Sequence, residues 1–359
     1  MLTLGTHFDQ LLFNIKPPSD RLDAAQEVPA QVRRYLESCE DFPTVEPHSR
    51  LVGSYAQHMA VGDVKDVDFL VRVGGDPNKN EPEAKTLILS LKRALDGLPE
   101  ALGYGGYAGV DIERGRRSVH VYVAARDFHL DVVPCIAPEG FENKLYVPDR
   151  GFNSWIPSHP VGFVLLLAEL DERYGRKVRP LGRLLKHFRN YHMVRRRPKS
   201  YWLAALLVYH VGVSLDMSQP LAVLFRDLLD ALYNQYASLL GRDDDATPNI
   251  RDPLLGHNVS WNWGRADFET FMKRVNEGRE WAHKALEMEP ADRSKAVTLW
   301  QKVFGQEYFP SDVTEAAKRT AMEASPGGSF VTSSGLVTSA QPISGRYTPT
   351  QKTTFHGTG

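Results

Sequence analysis

Two aspartates set two residues apart inside an otherwise apolar run, Asp66-Val67-Asp68-Phe69-Leu70-Val71, constrain this chain more than any other feature. The alternation makes a β-strand of residues 64–73, and in a strand residues i and i+2 share a face. Asp66 and Asp68 then project from one side while Val67, Phe69 and Val71 enter a core on the other. Two carboxylates confined to one small volume repel each other unless a cation stands between their oxygens. Hard oxygen donors of this kind suit Mg²⁺ completed by waters and phosphates. The fold must therefore hold a strand with one dry face and one acidic face.

A third carboxylate is framed in the same way. In Phe128-His129-Leu130-Asp131-Val132-Val133-Pro134, Leu130 and Val132 alternate against Asp131. Laid beside the first strand, Asp131 joins Asp66 and Asp68 in a clamp for two ions, Mg²⁺ or alternatively Mn²⁺, of the kind that carries in-line phosphoryl transfer. Asp131 is the candidate to orient or deprotonate an incoming 3′- or 2′-hydroxyl. Upstream, Leu51-Val52-Gly53-Ser54-Tyr55 offers close backbone approach at Gly53 and a hydroxyl donor at Ser54 for phosphate oxygens at a helix start.

The rest of the chain is organised around this segment. Residues 5–40 read as two helices separated by Lys16-Pro17-Pro18-Ser19-Asp20, with Ser19 or Asp20 as the N-cap of the second. Residues 49–133 alternate as strands, with a helix over 83–95 and a hairpin of 118–124 and 128–133. Beyond Pro160 come apolar-periodic segments at 160–174, 180–194, 201–213, 220–240, 265–287 and 290–304. The expected fold is α+β. A helical lead-in over 1–45 precedes a part built of strands and helices over 46–158, and a helical domain follows over 159–310. Residues 311–359 are expected to be a flexible tail, rich in Ser, Thr and Gly from Ser325 and charged only at Arg346 and Lys352 beyond it.

Composition excludes little. Lys and Arg number 43 against 44 Asp and Glu, so overall charge selects neither for nor against a nucleic-acid partner. Cys39 and Cys135 are too few for a disulfide framework and lack metal-ligand spacing, which favours a reducing compartment. The N-terminus has no basic, then apolar, leader pattern, and the longest apolar run, around Val164 to Ala168, is too short to span a bilayer. The expectation is a soluble, cytoplasmic protein with no membrane partner.

The stretch from Gly53 to Val71, GSYAQHMAVGDVKDVDFLV, together with Phe128 to Pro134 resembles the signature of the DNA polymerase beta-like nucleotidyltransferase superfamily. Within it the chain is most similar to the cyclic-oligonucleotide-synthesising branch: the bacterial CD-NTases, animal cyclic GMP-AMP synthase and oligoadenylate synthase. The resemblance covers about residues 5–310. It implies a polymerase beta-like catalytic core over 46–158, a mixed sheet flanked by helices, with the helical domain as a second lobe around a nucleotide cleft and the lead-in packed across both lobes. It also implies ATP, GTP or other NTPs as substrates, and a cyclic di- or trinucleotide second messenger made in CBASS-type antiphage defence.

The family also carries a helix Lys and a Ser-Tyr pair. The matching positions are Lys186, within Leu181 to Phe188 on a helix whose apolar residues face elsewhere, and Ser200 and Tyr201, with Ser200 as N-cap. The resemblance implies that Lys186 and Ser200 hold the triphosphate and that Tyr201 stacks on its base. A point charge for phosphate and a ring for a base make chemical sense of both. Arg251-Asp252-Pro253, Asn258 and Trp261, and Trp300 with Phe304-Gly305, resemble late family segments and are read as turn chemistry and aromatic burial. The basic run Arg195-Arg196-Arg197-Pro198-Lys199 suits a cleft wall, an RNA contact or, equally, a solvated helix terminus favoured by the helix dipole.

Departures bear on partners. Gln57, His58 and Met59 stand where many relatives carry Arg and Thr. No Cys/His cluster matches the zinc insertion of the animal enzyme, so direct sensing of double-stranded DNA is not expected. In one subset of bacterial relatives a ubiquitin-like ligase joins the C-terminal carboxylate to a target, and Gly359 is the residue on which such a ligase would act here. The triad is shared with RNA- and small-molecule-directed polymerase beta-type transferases, which remain the alternative, because it does not choose the acceptor.

Overall fold

In the computed structural model the strand foreseen at 64–73 is β2 (Asp66–Val73), and its alternation splits two cores. The described residues are 1–62, 66–103, 109–242 and 244–313, with three short strands beyond them. Val67, Phe69 and Val71 are buried in one apolar layer with Leu130 and Val132; Leu70, one step out of phase, is buried in another with Val52, Cys135, Leu145 and Val161. The first layer is closed by α2 (Ser19–Glu37) and α4 (Ala84–Leu95). Helix α4 shows why: Ala84, Leu87, Ile88, Leu91 and Leu95 recur at helical spacing and all are buried, while Lys92 and Arg93 sit in its last turn, where the helix dipole favours cations.

Among the described residues the sheet has seven strands, in the order β1-β2-β5-β4-β3, with β6 on β5 and β7 on β6. The strands are β1 (Ser49–Val52), β3 (Val110–Arg114), β4 (Val119–Val123), β5 (Phe128–Ile136), β6 (Leu145–Asp149) and β7 (Ser154–Ser158). The β2–β5 pair is parallel and the others are antiparallel, so the sheet is mixed. The expected hairpin is β4–β5. The six helical segments are α6 (Pro160–Arg173), α7 (Val178–His192), α8 (Ser200–Val213), α9 (Leu221–Leu240), α10 (Arg265–Glu287) and α11 (Arg293–Phe304). Helix α8 is buried without a break from Trp202 to Leu207, so its first half is enclosed on all sides, while Tyr209 and Val213 in its second half are exposed.

Two local expectations fail at helix starts. Pro18, not Ser19 or Asp20, caps α2, and Lys199, not Ser200, caps α8; neither cap makes a side-chain hydrogen bond. Both capping positions hold extended backbone, and in each case the serine is already the first helical residue.

The chain divides into two compact units. The larger, Ile15–Gln219 with Leu224–Arg279, contains the whole sheet, α2, α4, the short α5 (Leu98–Ala101), α6, α7 and α8. The smaller comprises Met1–Asn14, Pro220–Val223 and Glu280–Gly359. Within it α1 (Gly5–Asn14) buries Phe8 against Trp300, Phe304 and Phe309, the Phe8 and Trp300 rings meeting edge-on at 4.8 Å. Beyond residue 313 the description is confined to the paired strands Phe330–Val331, Val337–Thr338 and Thr348–Pro349; the remainder of the expected tail, Gly359 included, lies outside the described residues. Among the described residues no helix is long and apolar enough to cross a membrane.

Candidate active site

Asp68 and Asp131 are direct partners in the parallel register of β2 and β5. Both are partly exposed, on the face opposite the buried Val67, Phe69, Leu130 and Val132. Asp66 lies two residues earlier on β2, in register with His129, and its side chain, like Lys65, lies outside the described residues. The donor set is therefore hard carboxylate oxygen on one sheet face, the chemistry that suits Mg²⁺ or Mn²⁺. Among the described residues no three His, Cys, Asp or Glu side chains form a ready metal cage.

Gly53 follows β1 and opens the four-residue helix α3 (Gly53–Ala56) with φ +70°. A Cβ placed on it would stand 1.9 Å from Oδ2 of Asp68, so the carboxylate occupies the space that a side chain would fill. Gly53 and Ser54 thus lie against Asp68, as the sequence leads one to expect.

Asp68 also lines a cavity of about 920 Å³ within the larger unit, together with Gly53, Ser54, Lys186, Ser200 and Tyr201. Four cations, Arg117, Lys186, Arg189 and Lys199, line it against two carboxylates, Asp68 and Asp252. A concave site with that balance suits a polyanion.

Lys186 corrects an expectation. It is on the inner side of α7 and only 5% exposed, not on a face turned away from the packing. Its Nζ donates to the carbonyl of Met59 at 3.0 Å. Burial and nearby Arg189 push its pKa down to about 7, against the opposing pull of Asp68. Arg189, lowered to about 10 by burial and Arg197, donates to the carbonyl of Pro198 at 2.6 Å and to Oγ of Ser200 at 3.2 Å. Ser200 is thus positioned by a neighbouring arginine and not by a capping bond.

Tyr201 donates its hydroxyl to Oδ2 of Asp252 at 2.7 Å, and Phe163 meets its ring at 4.9 Å in a tilted edge contact. Trp261, expected to be buried, is 63% exposed and lines the cavity. Trp300 and Phe304 are fully buried, as expected.

Sequence reasoning missed His120 and Arg189 and gave Asp252 no part in the site. His120 was open to discovery: Val119, Val121 and Val123 alternate inward, so His120 shares the outward face, and the short β4–β5 turn places it opposite Asp131. The short Nδ1 to Oδ1 contact between them is present. Asp252 carried no comparable local signal.

A mixed sheet presenting register-paired carboxylates beside a cation-lined cavity, followed by helices, is an arrangement suited to nucleotidyl transfer. Residues 2–170 match the family model described as the Second Messenger Oligonucleotide or Dinucleotide Synthetase domain. Over 353 residues the chain is 27% identical to the cyclic AMP-AMP-AMP synthase of an Acinetobacter species, covering 96% of each. Escherichia coli MS115-1 CdnC with ATP superposes with a TM-score of 0.64 at 18% identity, over 86% of this chain and 99% of that one. The Bradyrhizobium diazoefficiens CD-NTase CdnG with GTP gives a TM-score of 0.64 at 15% identity, over 88% and 97%. In the sequence of its first half and in fold along most of its length, the chain is similar to the CD-NTases.

Proposed function

We propose that this chain condenses ATP, GTP or other nucleoside triphosphates into a cyclic di- or trinucleotide second messenger that serves CBASS-type antiphage defence. The observation that carries the reading is Asp68 in register with Asp131 beside a cavity that also gathers Gly53, Ser54, Lys186, Ser200 and Tyr201.

A triphosphate enters along the cationic wall. Lys186 and the Ser54 and Ser200 hydroxyls take its oxygens, Gly53 lets it approach the backbone, and Tyr201 gives its base a flat apolar surface. Asp131 orients the acceptor hydroxyl and receives its proton as that oxygen attacks the α-phosphorus; the bond to the β-phosphate breaks and pyrophosphate leaves. The hard carboxylates fit a divalent ion, and Asp66, Asp68 and Asp131 would hold Mg²⁺, which when bound neutralises charge on the triphosphate and the departing pyrophosphate. Repeating the step on the linear product closes the ring.

Pure protein incubated with labelled ATP, GTP, CTP and UTP and Mg²⁺, followed by phosphatase digestion and mass spectrometry, tests this. A phosphatase-resistant cyclic oligonucleotide is expected, absent from Asp66→Asn/Asp68→Asn. A nucleotide appended only to RNA or to a small molecule, with no free oligonucleotide, would overturn the reading.

A further inference from the structure

We infer that His120 is a positioning residue for Asp131, fixing from the neighbouring strand the direction in which that carboxylate presents its free oxygen. The inference rests on the proposed role of Asp131. His120 and Asp131 are register partners across the antiparallel β4–β5 pair, and the His120 Nδ1 meets Oδ1 of Asp131. An ionised carboxylate only accepts hydrogen bonds, so Nδ1 is the protonated nitrogen and donates. Oδ1 is thereby engaged and Oδ2 is left for the reacting groups.

The far edge of the ring is confined as well. A Cβ on Gly115, in the β3–β4 turn, would lie 2.5 Å from His120 Nε2 and 3.0 Å from Oγ of Ser118. The glycine therefore leaves the ring the room it occupies. The next outward pair along the same strands, Tyr122 and His129, is itself stacked at 4.4 Å, which lines this stretch of the sheet face with rings. Partners of this kind orient a ligating or proton-accepting carboxylate without touching substrate, and their loss commonly reduces activity or metal affinity 10- to 100-fold.

Isosteric variants separate positioning from bulk. The amide nitrogen of His120→Asn can occupy the place of Nδ1, that of His120→Gln the place of Nε2, and His120→Phe keeps a ring without a donor. We expect His120→Phe and His120→Gln to lower kcat for nucleotide condensation about tenfold or more with KM within about threefold, and His120→Asn to retain most of kcat. Mn²⁺ binding in the presence of a nonhydrolysable ATP analogue, followed by electron paramagnetic resonance, should weaken in the same order. If His120→Phe does not fold, Gly115→Ala, which displaces the ring without removing it, should show the same loss. Wild-type kcat and Mn²⁺ affinity in His120→Phe, or a loss in His120→Asn as large as in His120→Phe, would overturn the inference. A wild-type protein that condenses no nucleotide would refute the proposed function instead, and the Mn²⁺ titration alone would then judge His120.

Discussion

The hydroxyl of Tyr201 and the carboxylate of Asp252 meet at 2.7 Å, tying the first turn of α8 to the segment between α9 and α10. The other oxygen of Asp252 accepts the amides of Leu254 at 2.9 Å and Leu255 at 2.8 Å, so the anchor is itself anchored. Burial, then Asp252, push the phenol far above the ordinary tyrosine range, which keeps Tyr201 neutral at any working pH. It is a fixed ring, not a proton donor.

That geometry separates ring from hydroxyl. Stacking of a base on an aromatic ring is worth about 1–3 kcal/mol, so Tyr201→Ala should weaken binding of a nonhydrolysable NTP about tenfold or more. Tyr201→Phe keeps the ring and loses only its tether, and its effect should stay within about threefold. Calorimetric titration decides, and equal losses in both variants would assign the role to the hydroxyl.

Lys186 predicts a pH dependence. With a pKa of about 7 in the unliganded protein, it is largely charged at pH 6 and largely neutral at pH 8. A triphosphate binds the charged form, so NTP affinity should fall as pH rises through about 7. Lys186→Ala should weaken binding about tenfold or more, from loss of a charged contact worth about 1.5–3 kcal/mol, and should flatten that profile. Stability runs the other way. The unfolded lysine keeps its proton up to its ordinary value, so from about pH 7 to that value the unfolded chain binds more protons and the contribution of Lys186 to folding stability rises with pH. An affinity independent of pH in the wild type would remove Lys186 from the phosphate site.

Gly53 makes the third prediction. Alanine there meets Oδ2 of Asp68 at 1.9 Å and must also hold φ +70°. The backbone strain alone costs about 1–3 kcal/mol, and the displaced carboxylate should lower kcat by more than tenfold. A thermal melt and a pyrophosphate-release assay of Gly53→Ala measure the two effects; unchanged turnover would mean that Asp68 does not act from this position.

The legible parts of the site were those written in local periodicity. Asp68 and Asp131 were legible as residues of one sheet face because strand alternation sorts side chains between faces, and the helical segments because their apolar period is helical. Lys186 was misjudged for a tertiary reason: Gly182, one turn earlier on α7, lets Met59 come so close that a Cβ would lie 2.4 Å from the methionine methyl, and Lys186 donates to the carbonyl of that residue. No local pattern in α7 carries the position of a loop more than a hundred residues away. Tyr201 and Asp252 are likewise joined only by the fold. Trp261 shows the converse, since hydrophobicity marks an aromatic residue without saying whether it meets a core or a cavity.

Asp149 supplies the last prediction. Its side chain is wholly covered, by arginines that are themselves about half exposed. It accepts from Nε of Arg116 at 2.8 Å, from Arg117 at 3.2 Å and from the amide of Gly151 at 2.9 Å, and Arg116 lies over the ring of Phe152 at 4.9 Å. One carboxylate thus joins the β3–β4 turn to the β6–β7 turn, which deliver Arg117 and Phe152 to the cavity. Burial alone would raise its pKa, but the hydrogen bonds from Arg116, Arg117 and Gly151 outweigh it and hold Asp149 below the ordinary carboxylate range. Because the folded value is depressed, the stabilisation is complete above the unfolded carboxylate value and is lost as pH falls through the folded one. Asp149→Asn should therefore lower stability by about 2 kcal/mol at neutral pH, as expected for charged hydrogen bonds whose arginines remain partly hydrated. Its deficit relative to wild type should shrink in acid. With Arg117 and Phe152 released, KM for the NTP should rise several-fold more than kcat falls. Urea denaturation at pH 7 and in acid, with steady-state kinetics, tests the pair of claims; a variant as stable as wild type at pH 7, or one whose deficit persists unchanged in acid, would show that Asp149 does not act as this clasp.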